Sequence, residues 1–295
     1  MINMKLVLPY LINVPPFMLK GLENKKISFF KKISLIIKGR FVGSAINKLN
    51  GKSFCIFLNL MFKNDGKIYF DGQNYFKKYN DVKIFYPNKR IQRILIDYPR
   101  HLNRLLESYN LDEIKFEKDD VIIDCGSNIG ELNLALKNKN YEVKYYGFEP
   151  DNLSYECNIL NNKESGKNIK NVGLADKKGT MEFYEDSFGG NSSLVDFGEE
   201  KKSEINVDKL DNFSFPEKIK LLKIDAEGYE PEVLAGAKST LKNVKYVAVD
   251  FGPERGIHQD DTIVEVNNIL IDENFELIKF ETNRVTGLYK NKKND

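Results

Sequence analysis

From Arg90 to the end of the chain, apolar positions switch repeatedly between strand-like runs and helical spacing. Val121, Ile122 and Ile123 form a short apolar run of the kind a parallel strand buried on both faces requires. Leu132, Leu134, Ala135 and Leu136 then mark a helix that fades into Asn138-Lys139-Asn140, and Tyr145 to Phe148 reads as a second strand. Asp151 is placed to cap a helix running to about Asn162, with Leu153, Cys157 and Leu160 on its inner face. Ile169 to Ala175 predicts a third strand and Met181 to Tyr184 a short extra one. Leu221 and Leu222 start another buried strand, and Tyr246 to Asp250 makes the fifth. A helix over Thr262 to Asn274 leads to Phe275–Glu281 and Val285 to Lys290, paired around Thr282-Asn283-Arg284. This alternation predicts an α/β fold, a doubly wound and mostly parallel seven-stranded sheet completed by an antiparallel C-terminal hairpin.

The first ninety residues carry a different pattern. Met1 to Phe17 is apolar and broken by Pro15-Pro16. Across Ile27 to Leu49, Phe30, Ile33, Ile37, Phe41 and Ala45 recur at helical spacing among Lys31, Lys32, Lys38, Arg40 and Lys48. Such a helix either docks on the main domain with a solvated basic face or lies on an anionic membrane surface, so residues 27–49 are the candidate for peripheral membrane contact. Phe54 to Phe62 and Lys67 to Phe70 predict short strands joined by a hairpin turn at Asn64-Asp65-Gly66, and Asp81 to Tyr86 adds another. Ile91, Ile94, Leu95, Leu102, Leu105 and Leu106 fit two helical pieces interrupted at Pro99, and His101 rides on the second. Residues 1–90 are thus expected to form a small α+β accessory region and 91–295 the main domain.

Length and charge narrow the classes. A chain of 295 residues suits one large α/β domain of ~200 residues with a smaller attachment. A formal net charge of +2 argues against a dedicated nucleic-acid binder, which needs a clear basic excess. Cys55, Cys125 and Cys157 show neither metal spacing nor a disulfide framework, so a reducing cytoplasm is expected. No apolar run approaches the ~18 residues of a membrane span, and the first residues lack a signal-peptide layout.

The chemistry gathers at the strand ends. Asp124 opens the turn Asp-Cys-Gly-Ser-Asn-Ile-Gly, in which Gly126 and Gly130 stand where the chain must bend sharply and let a ligand approach its backbone. Glu149, nineteen residues past Gly130, ends the next strand, where a carboxylate can take both hydroxyls of a ribose. The middle glycine of a dinucleotide fingerprint is missing, and an acid two residues before the first glycine repels phosphate. That acid suits a cofactor with a cationic amino-acid end, such as S-adenosylmethionine. Asp176, after the third strand, is either a contact for an adenine amino group or a plain turn residue before Lys177-Lys178-Gly179. Ser187 to Ser193, with Asn191, Ser192 and Ser193, is a candidate lid or substrate loop.

A second cluster, Leu221 to Glu232, crowds Lys223, Asp225, Glu227 and Glu230 at one strand end. Like charges this close shift one carboxylate toward neutrality while Lys223 pulls the other way, so Asp225 and Glu227 are the candidate general bases. Glu230 and Glu232 are equally well explained as acids favouring a helix dipole. A divalent metal on Asp225 and Glu227 is weakly supported, since no histidine joins them. Glu254, Arg255 and His258, in the odd loop Gly-Pro-Glu-Arg-Gly-Ile-His, are candidates for substrate contact.

Taken in order, Ile123 to Gly130, Gly147-Phe148-Glu149-Pro150, Asn191 to Leu194, Lys223 to Glu230 and Leu234-Ala235-Gly236-Ala237 resemble the successive motifs of the FkbM family of S-adenosylmethionine-dependent methyltransferases. The resemblance covers about Arg90 to Asn291. It implies a class I methyltransferase fold of Rossmann-like type, in which Asp124, Gly126, Ser127, Asn128 and Gly130 line the methionine side and Glu149 takes the ribose. It further implies O-methyl transfer to a sugar hydroxyl, of the kind used in capsule, polysaccharide or other glycoconjugate biosynthesis, with a nucleotide-sugar or glycan as substrate. Two alternatives stay open. A NAD-dependent sugar oxidoreductase would share the sheet, but its usual Tyr-x-x-x-Lys pair appears only as Tyr79 with Lys83 and Tyr289 with Lys293, both badly placed. A non-catalytic cofactor-binding module is the other.

Overall fold

The structure, a computed structural model, describes residues 41–62, 64–184, 193–196 and 202–293. It divides the chain into two compact units, one taking the described residues up to Ile84 with Ile91–Asp97, the other taking Phe85–Arg90 and everything from Tyr98 onward.

The first unit holds α1 (Gly51–Met61) and a three-stranded sheet in the order β1 (Lys67–Phe70), β2 (Tyr75–Tyr79), β3 (Val82–Tyr86), the last strand running on into the second unit. The expected strand at 54–62 is therefore a helix. Its apolar run is continuous, so periodicity could not separate strand from helix; in the fold Phe54, Cys55 and Leu58 turn inward while Ile56, Leu60 and Met61 face out. The expected hairpin turn at Asn64-Asp65-Gly66 instead links α1 to β1, and the real hairpin is β1 with β2. Its turn is fixed by Asp71 Oδ1, which accepts from Gln73 N and Asn74 N. Lys77 is fully buried, and its ammonium is held by Asp65 and by the carbonyls of Ile94 (2.6 Å) and Leu95 (3.1 Å). Of the basic amphipathic stretch 27–49, residues 27–40 lie outside the described residues. Residues 41–48 are helical, with Phe41 exposed and Val42 buried, so the inward face is one position off the expected stripe.

The second unit is the expected α/β domain. Its seven strands run in the order β12 (Phe275–Glu281), β13 (Thr286–Asn291), β11 (Val244–Asp250), β10 (Ile219–Ile224), β4 (Val121–Cys125), β5 (Lys144–Phe148), β6 (Ile169–Lys170). The five from β11 to β6 are mutually parallel, and β13 is antiparallel to both of its neighbours. β4 is buried at every position, which is why its sequence is continuously apolar. α2 (Tyr98–Ser108) begins, rather than breaks, at Pro99, whose missing N–H costs nothing in a first turn. α3 (Glu131–Asn138) follows β4, and α4 (Asn152–Asn161) follows β5, capped as expected by Asp151 accepting from Ser154 N.

Two local expectations are corrected here. α4 turns Ser154, Cys157 and Asn158 inward and leaves Leu153 exposed, because its inner face meets a network of amides instead of an apolar layer. Asn158 and Asn162 bond each other, Asn162 also takes Asn133, and both crowd Gly130. The third strand is likewise split into β6 and β7 (Gly173–Leu174), and β7 pairs with β9 (Lys202–Asp208) in a separate sheet with β8 (Gly179–Tyr184). Between them, Asn171 Nδ2 donates to the carbonyls of Glu149 and Pro150 and turns the chain away. α5 (Glu230–Ala235), α6 (Lys238–Leu241) and α7 (Ile263–Asp272) complete the unit.

Candidate functional site

Register brings the two chemical clusters together. β10 lies beside β4 with Lys223 opposite Asp124, and the chain continues as a ladder where Asp225 N donates to Cys125 O. The β4 turn and the acid turn after β10 are therefore neighbours at the carboxyl edge of the sheet, the edge at which open α/β sheets bind ligands.

In the β4 turn, Gly126 and Gly130 have φ of +67° and +80°, and Asn128 has +46°. The sharp bend is as expected, and packing adds a further reason for the glycines. A Cβ on Gly126 would stand 1.8 Å from Asp225 O, and one on Gly130 would collide with Asn162 Nδ2 and Asn158 Oδ1 at 2.1 and 2.2 Å. Protein packing alone excludes a side chain at both. Ser127 is buried and accepts from Asn158 Nδ2, so it fixes the turn from behind. Asn128 N donates to Glu149 Oε2 at 2.7 Å, and Asp151 N to Glu149 Oε1 at 2.9 Å. A carboxylate has about four lone-pair sites, so each Glu149 oxygen has one left after these bonds. Burial pushes this carboxyl up to about 8 against the two N–H donors.

Asp124 stands differently from expectation. It is 1 % exposed, accepts from Tyr145 OH at 2.8 Å and pairs with Lys223 Nζ at 3.0 Å, so its charge is spent inside the sheet instead of on a cofactor ammonium. Asp176 is exposed, and its backbone neighbours Gly236 at the C-terminal end of α5, in the chain that leaves the main sheet.

The acid turn sorts its carboxyls by partner. Asp225 Oδ2 accepts from Tyr109 OH (2.6 Å) and Arg284 Nη2 (2.8 Å) and lies 3.5 Å from Lys223 Nζ. Burial would raise this carboxyl, but Lys223, Arg284 and Tyr109 outweigh it and hold it down at about 2. A carboxylate that acidic is a weak base. Glu227 is the opposite case. Burial, then Asp225 and Glu254, push it well above the carboxylate range. It also adopts φ +51°, a conformation costing ~1–2 kcal/mol for a residue with a side chain. The surroundings enforce it: Ser193 Oγ donates to Glu227 O at 2.6 Å, and Glu230 Oε1 accepts from Ala226 N and Gly228 N. Glu230 Oε2 takes Thr262 Oγ1, so Glu230 is a brace.

The predicted substrate contacts are redistributed. Arg255 is bound to both Glu232 oxygens at 2.9 and 2.6 Å and to Gly228 O at 2.6 Å, a clamp between its loop and α5. Ser193 is buried and holds Glu227. His258 is exposed, and Glu254 turns back toward Glu227. Asn191 and Ser192 lie outside the described residues. His101 bonds Glu131 Oε1 at 2.9 Å, and Tyr86 OH donates to the same oxygen, so it ties α2 to α3.

Three residues of the site escaped the sequence reading: Tyr109, Asp250 and Arg284. Arg284 donates through Nε to Asp250 Oδ2 at 2.6 Å while its Nη2 holds Asp225. Its guanidinium carbon lies 4.6 Å from the Tyr109 ring centroid, and Lys223 Nζ approaches the same ring at 5.6 Å. Because β13 is antiparallel to β11, the turn before it returns to the carboxyl edge with Thr286 opposite Asp250. That placement was the one available signal for Arg284.

The site fits a cationic nucleoside cofactor. Asp124, Asp225, Glu227, Asp250 and Glu254 gather at this edge against Lys223 and Arg284, so the carboxyls outnumber the cations even with a proton retained on Glu227, and Glu149 adds a further buried carboxyl at the end of β5. The chain is 28 % identical over 197 residues to methyltransferase sdnD of Sordaria araneosa, a match spanning 54 % of this chain and 74 % of that one. It is 28 % identical over 138 residues to hexuronic acid methyltransferase AglP of Haloferax volcanii, spanning 45 % of this chain and 56 % of that relative. Among solved structures it resembles a SAM-dependent methyltransferase of Aquifex aeolicus, at 15 % identity and a TM-score of 0.38 over 65 % of this chain and 97 % of the other. The family profile described as "Methyltransferase FkbM domain" matches residues 124–281, from Asp124 in β4 to the end of β12 and more than half of the chain. The chain therefore belongs to the FkbM family of methyltransferases, and S-adenosylmethionine is its cofactor.

Proposed function

We propose that the protein transfers a methyl group to a hydroxyl oxygen of a sugar, in the biosynthesis of a surface polysaccharide or other glycoconjugate, with Glu227 as general base. Glu227 carries this reading. Like Glu254 it combines raised proton affinity with a buried oxygen, Oε2, that receives no N–H or O–H donor among the described residues, and of the two it alone sits on a left-handed backbone. Its positive φ is held from two sides by Ser193 and Glu230, and strain maintained by its surroundings is a mark of functional positions. The hexuronic acid methyltransferase among the relatives supports a sugar acceptor, although that match takes in only 56 % of the relative.

S-adenosylmethionine supplies a methyl carbon made electrophilic by its sulfonium. The chain's own contributions are positional and electrostatic. Glu149, oriented by the N–H of Asn128, would hold the ribose end, and Glu227 would take the proton from the acceptor hydroxyl as its oxygen becomes a nucleophile. Asp225, whose Oδ2 is held by Tyr109, Arg284 and Lys223, keeps its charge at the edge and orients the turn that presents Glu227. The three free, buried cysteines accord with a cytoplasmic location for this reaction. Among the described residues no helix is long and apolar enough to cross a membrane.

The test is transfer of a labelled methyl from S-adenosylmethionine to a panel of neutral hexosides, hexuronates and nucleotide sugars. Product carrying an O-methyl ether on one sugar class supports the reading. Label on nitrogen or carbon acceptors, with none on sugars, contradicts it.

A further inference from the structure

Glu254 stands outside every bonding scheme described so far. It ends the tight turn Gly252-Pro253-Glu254, in which Glu254 N donates to Gly252 O at 2.8 Å. A Cβ added to Gly252 would sit 3.3 Å from the Glu254 carboxyl, so the side chain folds back over its own turn toward the sheet edge. There Asp225, Glu227 and Glu254 each place a carboxylate oxygen within 4.8 Å of the others. Asp225 Oδ1, Glu227 Oε2 and Glu254 Oε2 are all buried from solvent without a donor among the described residues.

Among the described residues the cations around this group are Arg284, Lys223, Arg255 and Arg90, the last acting on Asp225 through its charge. Arg284 bridges Asp225 and Asp250, Lys223 bridges Asp124 and Asp225, and Arg255 is bound to Glu232. The remaining neighbours, Asp250 on β11 and Glu230 on α5, are themselves acids. Two carboxylates facing each other under these conditions repel, and among the described residues no N–H arrives to separate them. A proton between them satisfies both oxygens at once. Asp225 does not compete for that proton, since its other oxygen takes two strong donors.

We propose that Glu254 is the proton-sharing partner of Glu227, the two carboxyls holding one proton between them and acting as a single acid–base unit. This rests on the reading of Glu227 as the base and moves Glu254 from substrate contact to a positioning role. The unit carries one negative charge. In the reaction the acceptor O–H bond breaks, its proton passes to the Glu227 oxygen not engaged with Glu254, and the new oxygen–methyl bond forms as the sulfonium–methyl bond breaks. The doubly protonated pair then returns one proton to solvent. Burial and the surrounding acids push Glu254 up to about 7, in keeping with a pair that retains a proton near neutral pH.

The test is an infrared titration of the full-length, ligand-free protein from about pH 4 to about pH 9, following protonated-carboxyl absorption in wild type, Glu227→Gln, Glu254→Gln and the double variant. One shared proton predicts that each single variant loses the absorption of one carboxyl near neutral pH and that the double variant loses no more than that. Glu254→Asp, which keeps the carboxyl, should retain it. Losses that add in the double variant, or no loss in Glu254→Gln, would mean independent carboxyls and overturn the proposal. So would saturable binding of Mg²⁺ to wild type that removes the same absorption, since the pair would then be cation ligands. A circular dichroism spectrum matching wild type confirms that each variant is folded. Neither acceptor nor cofactor enters the titration, so its failure leaves methyl transfer standing, and an absence of methyl transfer leaves the titration result intact.

Discussion

Replacing Gly126 by alanine separates two explanations for the glycine in the cofactor turn. If the position is small so that a ligand can approach, the ligand-free protein should tolerate a methyl group. The structure gives a different answer, because the added Cβ would stand 1.8 Å from Asp225 O, whereas real contacts stay above 3.0 Å. The carbonyl has to retreat by roughly 1.2 Å. Asp225 is also tied to the β4 end through its own N–H, which donates to Cys125 O at 3.2 Å, and Lys223 Nζ donates to Gly126 O at 2.9 Å. The alanine at φ +67° costs ~1–2 kcal/mol by itself. Weakening one or two of these hydrogen bonds adds about 1 kcal/mol each. The expected loss is about 3 kcal/mol of unfolding free energy, measured by urea denaturation without ligand. A variant within ~0.5 kcal/mol of wild type that merely loses S-adenosylhomocysteine binding would refute the packing explanation and restore ligand approach as the reason.

Other consequences can be measured directly. Glu227→Gln should lower kcat by about 10²–10⁴ while leaving S-adenosylhomocysteine affinity unchanged; an unaltered kcat in the folded variant removes Glu227 from the mechanism. Asp65→Ala leaves the fully buried Lys77 ammonium without its carboxylate and should destabilise the first unit by about 3 kcal/mol, with Lys77→Met milder than Asp65→Ala. Glu149 has a folded pKa raised from 4.5 to about 8, so its contribution to stability is full below about pH 4.5, falls as pH rises and is lost by about pH 8. Glu149→Gln should flatten that part of the stability profile, as read by denaturation across the window. Ribose hydroxyls favour the ionised carboxylate, so binding of S-adenosylhomocysteine near pH 7 should release protons. Calorimetry in buffers of different ionisation enthalpy detects the release, and Glu149→Gln should abolish it.

How much of this was legible in the sequence depended on whether an element's signal was local. The buried run Val121-Ile122-Ile123, the Asp151 cap and the positions of Glu149 and Glu227 are written in adjacent residues, and the structure places them as expected. The run 54–62 failed because a segment apolar on every side carries no period, and its packing against β1 and β2 decides for helix. Leu153 failed because α4 buries amides, a choice dictated by the contact with Gly130 and invisible in a hydropathy pattern. Asp124 was assigned by its place in the motif, yet Tyr145 and Lys223, both outside the β4 turn, enclose it. Tyr109, Asp250 and Arg284 meet only because three distant stretches converge at one sheet edge, and Arg255 pairs with Glu232, a partner 23 residues away.

The reading as a whole turns on whether the cofactor sits on the β4 turn with its ribose on Glu149. Calorimetric titration of wild type and Glu149→Ala with S-adenosylhomocysteine, and in parallel with NAD, addresses that point. The account predicts saturable one-site binding of S-adenosylhomocysteine to wild type, its loss in Glu149→Ala with the fold intact, and no binding of NAD. Binding that survives the loss of Glu149, or saturable binding of NAD in its place, would contradict it.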